Sequence, residues 1–132
     1  MISKQVAVVG GGAAGFFSAL SVKQHHPNYS VILFEKSSKL LTKVKVSGGG
    51  RCNITHHSED INSLCKAYPR GGKKLKSIIY QFNNKDTQNW YENRAEPLKT
   101  EKEGRMFPVS NQSESVIKCL ISECQSLGVE IQ

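Results

Sequence analysis

Two glycine-rich stretches hold the residues of this sequence that are best suited to bind a phosphate-bearing ligand. The first is GGGAAG, residues 10–15, which fits the pattern G-x-G-x-x-G. The second is SGGGRCN, residues 47–53, in which three glycines precede an arginine, a cysteine and an asparagine. Because glycine has no Cβ, it lets backbone N–H groups approach an anion closely. Both stretches are therefore candidate contacts for phosphate groups.

The first stretch has the spacing of a dinucleotide-binding turn. Its first glycine permits a tight turn, its third lets a pyrophosphate approach the backbone, and its last lets the following helix pack on a strand. Glu35 lies 20 residues after Gly15, where a carboxylate accepts hydrogen bonds from ribose hydroxyls and repels the 2′-phosphate of NADP. The turn therefore predicts an adenine dinucleotide, either NAD or FAD. Its candidate contacts are Gly10, Gly12, Ala13, Ala14, Gly15 and Glu35.

The elements predicted around this turn are those of a βαβ unit. Residues 4–9, KQVAVV, form a short β-branched run that ends at glycine, which is the pattern of a buried parallel strand. A helix is predicted from Ala13 to about His25, and a second buried strand over residues 30–34, SVILF. Two parallel strands joined by a helix predict a right-handed crossover and an α/β, Rossmann-like fold.

The segment after the second strand favours FAD over NAD. Residues 36–45 are polar and basic and predict an irregular loop, whereas a compact helix follows this strand in a plain NAD dehydrogenase. FAD lies extended, so a second glycine-rich segment can hold the part of it that lies beyond the first turn. We expect Lys43 and Arg51 to neutralise its phosphates, and the backbone N–H groups of residues 49–53 to reach phosphate or flavin oxygens.

These motifs resemble a known family. GGGAAG, FEK, KVKVSGGGRCNITH, RGGKKL, DTQNWYENR and LKTEKEGRMFPVS are similar to the BaiN-like family of NAD(P)/FAD-dependent oxidoreductases, which includes YhiN-type and aminoacetone oxidase-type proteins. The resemblance implies a two-dinucleotide-binding FAD fold with inserted substrate-side domains, with NAD(P)H as a candidate electron donor. Together with Ser47, which opens the second stretch, the residues it assigns to FAD are Gly10, Gly12, Gly15, Glu35, Lys36, Lys43, Gly49, Gly50, Arg51, Cys52 and Asn53.

The chain departs from the family pattern in two respects. Many relatives have a glycine and a basic residue before the lysine that matches Lys43, where this chain has Leu41 and Thr42. We therefore expect a different loop path. Relatives are also considerably longer, and a dinucleotide-binding sheet needs more strands than this chain supplies. We expect an incomplete portion of a flavoprotein, with weak or no FAD binding and no turnover by itself.

We divide residues 1–132 into three parts of one FAD-binding domain. Residues 1–35 form the βαβ unit, residues 36–55 the glycine-rich flavin loop, and residues 56–132 a helical and hairpin region that leads into a third strand. The elements predicted in the last part are a helix over residues 75–82, a short helix capped by Asp86-Thr87, a hairpin turning at Glu103-Gly104, a helix capped by Ser110 or Ser113 and ended by Gly128, and a strand beginning in VEIQ.

No catalytic acid or base is marked by the sequence. Disulfide-reducing flavoenzymes carry two cysteines separated by four residues, and the partner position of Cys52 is His57, which excludes two-thiol chemistry. Cys52 is then either a thiolate near the flavin or, as we favour, a small side chain that fills space. The aromatic residues Phe82, Trp90 and Tyr91 are candidates to line a substrate pocket, but their helical spacing favours the core. The four cysteines form no C-x-x-C pair and predict no metal site.

The basic charge leaves the partner open. The net charge of +7 is concentrated in residues 35–51 and 69–76. It fits a phosphate-bearing ligand, an RNA or a solvated face, and charge alone favours the last. We expect FAD and an unidentified small-molecule substrate rather than a nucleic acid, no membrane association and, without a secretory signal, a cytoplasmic location. The alternatives are an NAD-only dehydrogenase and a non-catalytic basic module that binds RNA.

Overall fold

Strands and helices follow one another along residues 4–132, the part of the chain that the computed structural model describes. In chain order they are β1 (Gln5–Val9), α1 (Ala13–His25), β2 (Ser30–Phe34), α2 (Thr42–Gly50), β3 (Thr55–His56), α3 (Ile61–Lys66), α4 (Gly72–Gln81), α5 (Asn84–Glu92), β4 (Leu98–Thr100), β5 (Arg105–Pro108), α6 (Ser113–Ser126) and β6 (Glu130–Ile131). No helix within this part is long and apolar enough to cross a membrane.

A parallel sheet of order β1-β2-β6 forms the base of the fold. β1 and β2 pair along their whole length, from Gln5 opposite Ser30 to Val9 opposite Phe34. β6 adds to the other edge of β2, so the third strand lies beside the second, as in a dinucleotide-binding sheet. The βαβ unit, the third strand and the α/β fold class are confirmed. Within the described residues, the outer edge of β1 has no strand partner.

The apolar core lies on one face of this sheet. Val31 and Leu33 of β2 are buried beneath α1 and α6, where Phe16 and Leu120 are also buried. Each such side chain stabilises the fold by about 1.5–3 kcal/mol. The opposite face carries apolar residues that the described part of the chain leaves uncovered, and Val9 is 86% exposed there. Parallel sheets are usually covered on both faces.

A second, antiparallel sheet has the order β3-β5-β4. The hairpin of β4 and β5 turns at Glu103-Gly104, which confirms the prediction. Met106 and Phe107 of β5 are buried and connect this sheet to the body of the domain. The partner strand β3 has only two residues and was not predicted, because so short a run has no detectable alternation.

Four helices begin where the sequence did not predict a helix start: α2, α3, α5 and α6. Residues 36–45 are not irregular throughout, because α2 begins at Thr42. α5 is capped by Asn83 rather than by Asp86-Thr87. The Asn83 side chain accepts the N–H of Asp86, whose carboxylate accepts the N–H of Asn83, so Asp86 belongs to the cap as its third helical residue.

The two remaining differences concern α3 and α6. α3 was not predicted, and its N-cap Asp60 accepts the N–H of Ser63 at 2.9 Å. α6 was expected to be capped by Ser110 or Ser113, but its N-cap is Gln112, which makes no side-chain cap bond. The hydroxyl of Ser113 instead donates to the carbonyl of Lys45 at 2.7 Å and ties α6 to α2.

Candidate dinucleotide-binding site

The first glycine turn joins β1 to α1 without filling the space in front of the helix. The N–H of Gly10 donates to the carbonyl of Phe34 at 2.7 Å, which holds the turn against β2. A Cβ on Gly15 would lie 1.8 Å from the carbonyl oxygen of Gly10, whereas one on Gly12 would meet nothing within 4 Å. Gly15 therefore serves packing, and Gly12 leaves room for a ligand at the positive end of α1.

Glu35 lies at the end of β2 and faces the same turn. One carboxylate oxygen accepts the N–H of Gly11 at 2.7 Å and the other accepts the N–H of Ser37 at 2.9 Å. These bonds, with Ser37 contributing most, hold the pKa of Glu35 below its ordinary value. The carboxylate is thus ionised at neutral pH and fixed beside the turn. It retains lone pairs that can accept ribose hydroxyls.

The loop after β2 folds back onto the turn. The N–H of Leu41 donates to the carbonyl of Gly11 at 2.8 Å, and the Leu41 side chain is buried. Leu41 has a φ of 54°, in the left-handed region that favours glycine. The resemblance to BaiN-like proteins predicts a glycine at this position. The loop therefore follows a path suited to glycine and uses the leucine to fill the core.

Two adjacent cavities form one groove along these elements. The first, of about 340 Å³, lies between the turn and Glu35. The second, of about 320 Å³, extends from the start of α1 towards α5 and α6. Both are lined by Ala13, Lys43 and Val44. Lys43 is exposed and makes no ion pair within residues 4–132, so its charge at the junction is available to a phosphate.

The second glycine stretch interrupts α2 and borders the second cavity. The helix breaks at Ser47, whose ψ is 150°, and Gly48 and Gly49 then adopt left-handed φ angles of 56° and 67°. The N–H groups of Arg51 and Cys52 donate to the carbonyls of Gly48 and Ser47. Two of the backbone donors expected to reach the cofactor are therefore used within the loop itself.

Residues 4–132 match the family model described as HI0933-like protein Rossmann domain. The chain belongs to this family. The match confirms the resemblance drawn from the motifs and agrees with the order of the parallel sheet.

The HI0933-like domain is similar to parts of longer curated proteins. It is 24% identical over 127 residues to the 3-dehydro-bile acid delta(4,6)-reductase of Clostridium scindens, over 96% of this chain and 30% of that protein. It is 27% identical over 124 residues to the ribosomal RNA dihydrouridine synthase of Haemophilus influenzae, over 94% of this chain and 29% of that protein. The chain spans about 30% of the length of these relatives.

A solved structure shares the fold. A chain in the crystal structure of Thermovibrio ammonificans THI4 superposes with a TM-score of 0.59 at 12% identity, over 98% of the HI0933-like domain and 38% of that chain. At this identity the likeness supports the architecture alone.

Arg51 of the HI0933-like domain contacts two side chains of the β4–β5 hairpin in the same chain. Its guanidinium pairs with Glu101 at 2.5 Å and lies 3.9 Å from the centre of the Phe107 ring. The Arg51 side chain thus fastens the second glycine stretch to the β4–β5 hairpin. Its expected role in neutralising phosphates stays a prediction, and Glu101 already balances part of its charge. Lys43 is the basic residue of this pair that faces the groove.

Cys52 lines the second cavity with its side chain buried and its backbone at a φ of 62°. Burial raises the pKa of its thiol, so the thiol is protonated at neutral pH. This favours the space-filling role over the thiolate. All four cysteines are free, and no group of three His, Cys, Asp or Glu side chains in residues 4–132 could hold a metal ion.

The aromatic residues divide between core and surface. Trp90 and Tyr91 are buried, as expected, and the Phe17 ring lies 4.8 Å from that of Trp90. Phe82 is 45% exposed, so its placement in the core was wrong. It ends α4, which buries no side chain of its own.

Several lining residues of the second cavity were not identified from the sequence. They come from α5 and α6, far along the chain from the glycine stretches, and no motif marks them. They are Thr87, Val116 and Leu120, which lie beside Tyr91, a residue that the sequence offered as a pocket candidate. The helical periodicity of these segments showed that they bury a face but not which ligand that face adjoins.

Proposed function

We propose that this HI0933-like domain supplies the adenosine-side contacts, and part of the flavin-side contacts, of an FAD-dependent oxidoreductase. One observation carries the proposal: the first turn and the second glycine stretch border a single groove, with Lys43 at its middle. A nicotinamide dinucleotide needs the first turn and Glu35. An extended FAD molecule continues beyond its pyrophosphate, and the second cavity would hold that further part.

The residues of the groove fit such a molecule in order. Glu35 would bind the adenosine ribose, and the open backbone at Gly12 would receive the pyrophosphate at the start of α1. Lys43 would pair with a phosphate. Tyr91 and Cys52 would provide an apolar wall on the flavin side, where burial raises the pKa of both groups and keeps them neutral.

When bound, FAD supplies hydride or electron transfer, and the protein binds, orients and shields it. The two relatives are named as a bile-acid reductase and as a synthase of dihydrouridine in ribosomal RNA. Both are reductions, and we propose a reduction for the whole protein to which this domain belongs. The two substrates differ in one respect that bears on this chain: an RNA needs a surface for its phosphates outside the flavin groove, and a bile acid does not.

The test is a titration of the 15N-labelled chain followed by two-dimensional NMR. ADP should shift the amide signals of residues 10–15 and 35, because the adenosine half of the groove is formed by this chain. FAD should extend the shifts to residues 43–53, whereas NADH should not. The outcome that contradicts the proposal is an ADP titration that leaves residues 10–15 unmoved. Shifts of residues 43–53 with NADH but not FAD would favour the NAD-only alternative.

A matched pair of variants controls this titration. Gly12→Val places a side chain where the structure leaves open space, so we expect an intact fold and no ADP shifts. Ser18→Val makes a similar addition at an exposed position of the same helix and should bind ADP like the unchanged chain. Equal binding by both variants would show that the turn does not hold the pyrophosphate.

A further inference from the structure

A hairpin of two helices holds most of the net positive charge of the chain. Residues 61–81, which we call the basic hairpin, comprise α3, the turn after it and α4. They include five basic residues and no acidic one, in a chain whose net charge is +7. The basic residues are Lys66, Arg70, Lys73, Lys74 and Lys76.

The basic hairpin projects from the body of the domain. Neither α3 nor α4 contains a buried residue. The two helices approach each other closely at Gly72, where a Cβ would lie 2.6 Å from the carbonyl oxygen of Cys65. Helices that only support a fold usually bury one face. Because α3 and α4 bury no residue, their surface is available to a partner.

The charges of this surface are not neutralised within the protein. Arg70, Lys73 and Lys74 are exposed and make no ion pair in residues 4–132. Lys66 contributes to the lowered pKa of Asp60, so it is partly balanced. An uncompensated cluster of this kind attracts polyanions and loses that attraction as salt is added.

Aromatic rings lie among the charges. Tyr68 is 46% exposed and Tyr80 is 61% exposed, and the Lys76 ammonium lies 5.9 Å from the centre of the Tyr80 ring. A groove of about 750 Å³ runs along the hairpin, lined by Tyr68 and by Lys66, Lys73, Lys74 and Lys76. Cationic side chains beside accessible rings are how proteins hold single-stranded nucleic acid, with phosphates on the cations and bases stacked on the rings.

We propose that the basic hairpin is a docking surface for single-stranded RNA. The choice of RNA over single-stranded DNA rests on the proposed function, because one of the two reductions considered there acts on ribosomal RNA. The choice of a nucleic acid over an anionic membrane rests on the exposed tyrosines beside the lysines and on the groove between the two helices. The net charge alone did not favour a nucleic acid over a small molecule, because it does not show where the basic residues lie. In the structure, five of them lie together on one helical hairpin beside two exposed tyrosines.

The test measures binding by fluorescence anisotropy of the full chain to a labelled 20-nucleotide single-stranded RNA of mixed sequence. Lys73→Glu/Lys74→Glu should weaken binding at least tenfold and reduce the slope of log affinity against log salt by about 1.4, or about 0.7 for each lost phosphate contact. Tyr80→Ala should weaken binding about tenfold without changing that slope. Circular dichroism should show that both variants are folded.

The matched control is Lys102→Glu/Lys118→Glu, which changes the net charge equally at exposed lysines outside the basic hairpin. It should reduce RNA binding less than about threefold at physiological salt, because exposed charges beyond a Debye length are screened. Equal losses in the two double variants would overturn the proposal, since net charge rather than the hairpin would then drive binding. Absence of RNA binding at low salt would overturn it as well.

Further arms separate the partners and the two proposals. The DNA oligonucleotide of the same sequence should bind more weakly than the RNA; tighter binding of DNA would overturn the choice of RNA. Vesicles of phosphatidylcholine and phosphatidylglycerol should not bind; loss of vesicle binding in Lys73→Glu/Lys74→Glu, with RNA binding unaffected, would replace RNA by a membrane. Gly12→Val should retain RNA binding and lose ADP, so failure of the flavin proposal is distinguishable from failure of this one.

Discussion

The two glycine stretches border the same groove but differ in what surrounds their glycines. In the first, Gly15 has a carbonyl oxygen where its Cβ would be, and Gly12 faces open space. The turn is therefore held by the βαβ elements that adjoin it, including the bond from the N–H of Gly10 to the carbonyl of Phe34, and leaves its ligand-facing side free.

The second stretch is held by distant parts of the chain. A Cβ on Gly48 would lie 2.8 Å from the ring of Phe107, and Arg51 pairs with Glu101, 50 residues further along. Gly49 and Gly50 have left-handed φ angles with open space beside them. The stretch therefore depends on the β4–β5 hairpin for its shape. The comparison shows that the geometry of a glycine stretch can be derived from the sequence only where the adjoining elements determine it.

The largest effect that tests this comparison is expected at Gly15. Gly15→Ala places a methyl group 1.8 Å from a carbonyl oxygen and forces α1 away from β1, which should cost about 3 kcal/mol of unfolding free energy. Urea unfolding followed by circular dichroism measures this. Gly12→Ala, which meets nothing, should cost less than about 1 kcal/mol. Similar losses in both would show that the turn is not held by packing.

A smaller effect is expected at Leu41, which links the two stretches. Leu41→Ala removes a buried side chain and should cost about 2 kcal/mol. Leu41→Gly removes more atoms but relieves the left-handed φ of 54°, which is worth about 1 kcal/mol. We therefore expect the glycine variant to be the more stable of the two by urea unfolding. The reverse order would mean that the loop changes its path when the leucine is removed.

A binding experiment should distinguish the roles of the two basic residues, Lys43 and Arg51. Lys43→Gln should weaken ADP binding about fivefold, because it removes a charge-assisted contact at the junction of the cavities. Arg51→Gln should leave ADP binding unchanged and lower the melting temperature, since it releases the second stretch from Glu101 and Phe107. Calorimetry measures both. A loss of ADP affinity in Arg51→Gln would return Arg51 to the phosphate-binding role.

The smallest effect concerns the pH dependence of Glu35. Its pKa is lower in the folded protein than the ordinary value of 4.5, so the carboxylate contributes stability above that pH and loses it as the pH falls through the folded pKa. The melting temperature of Glu35→Gln should therefore fall less between neutral pH and about pH 3 than that of the unchanged chain. The amide cannot ionise, so its variant should show a flatter profile. An unchanged profile would mean that the bonds to Ser37 and Gly11 add no stability.

Local patterns predicted most of the fold and the first half of the site. The strand, turn and helix around residues 10–15 depend on neighbours in sequence, and their bounds agree with the structure within a residue or so. The N-caps failed where several polar residues compete within one turn, as at Asn83 and Asp86.

What the sequence could not predict depends on tertiary contacts. The contact of Arg51 with Glu101 was not predicted, because Glu101 belongs to a hairpin whose position relative to the loop has no local signal. Phe82 was placed in the core because its helical spacing matched that of Leu75 and Ile79, although α4 has little to pack against. The walls of the second cavity were missed for the same reason.

The face of the parallel sheet that residues 4–132 leave uncovered should limit the concentration at which the domain remains in solution. Val9 and Phe34 lie side by side in register on that face and are 86% and 37% exposed, next to an open strand edge. Apolar patches beside unpaired backbone groups promote self-association. We expect self-association of the folded domain, rather than unfolding, to limit the concentration that it can reach in solution. A charged side chain in place of Val9 should raise that concentration, because nothing in the groove depends on the methyl groups it would replace.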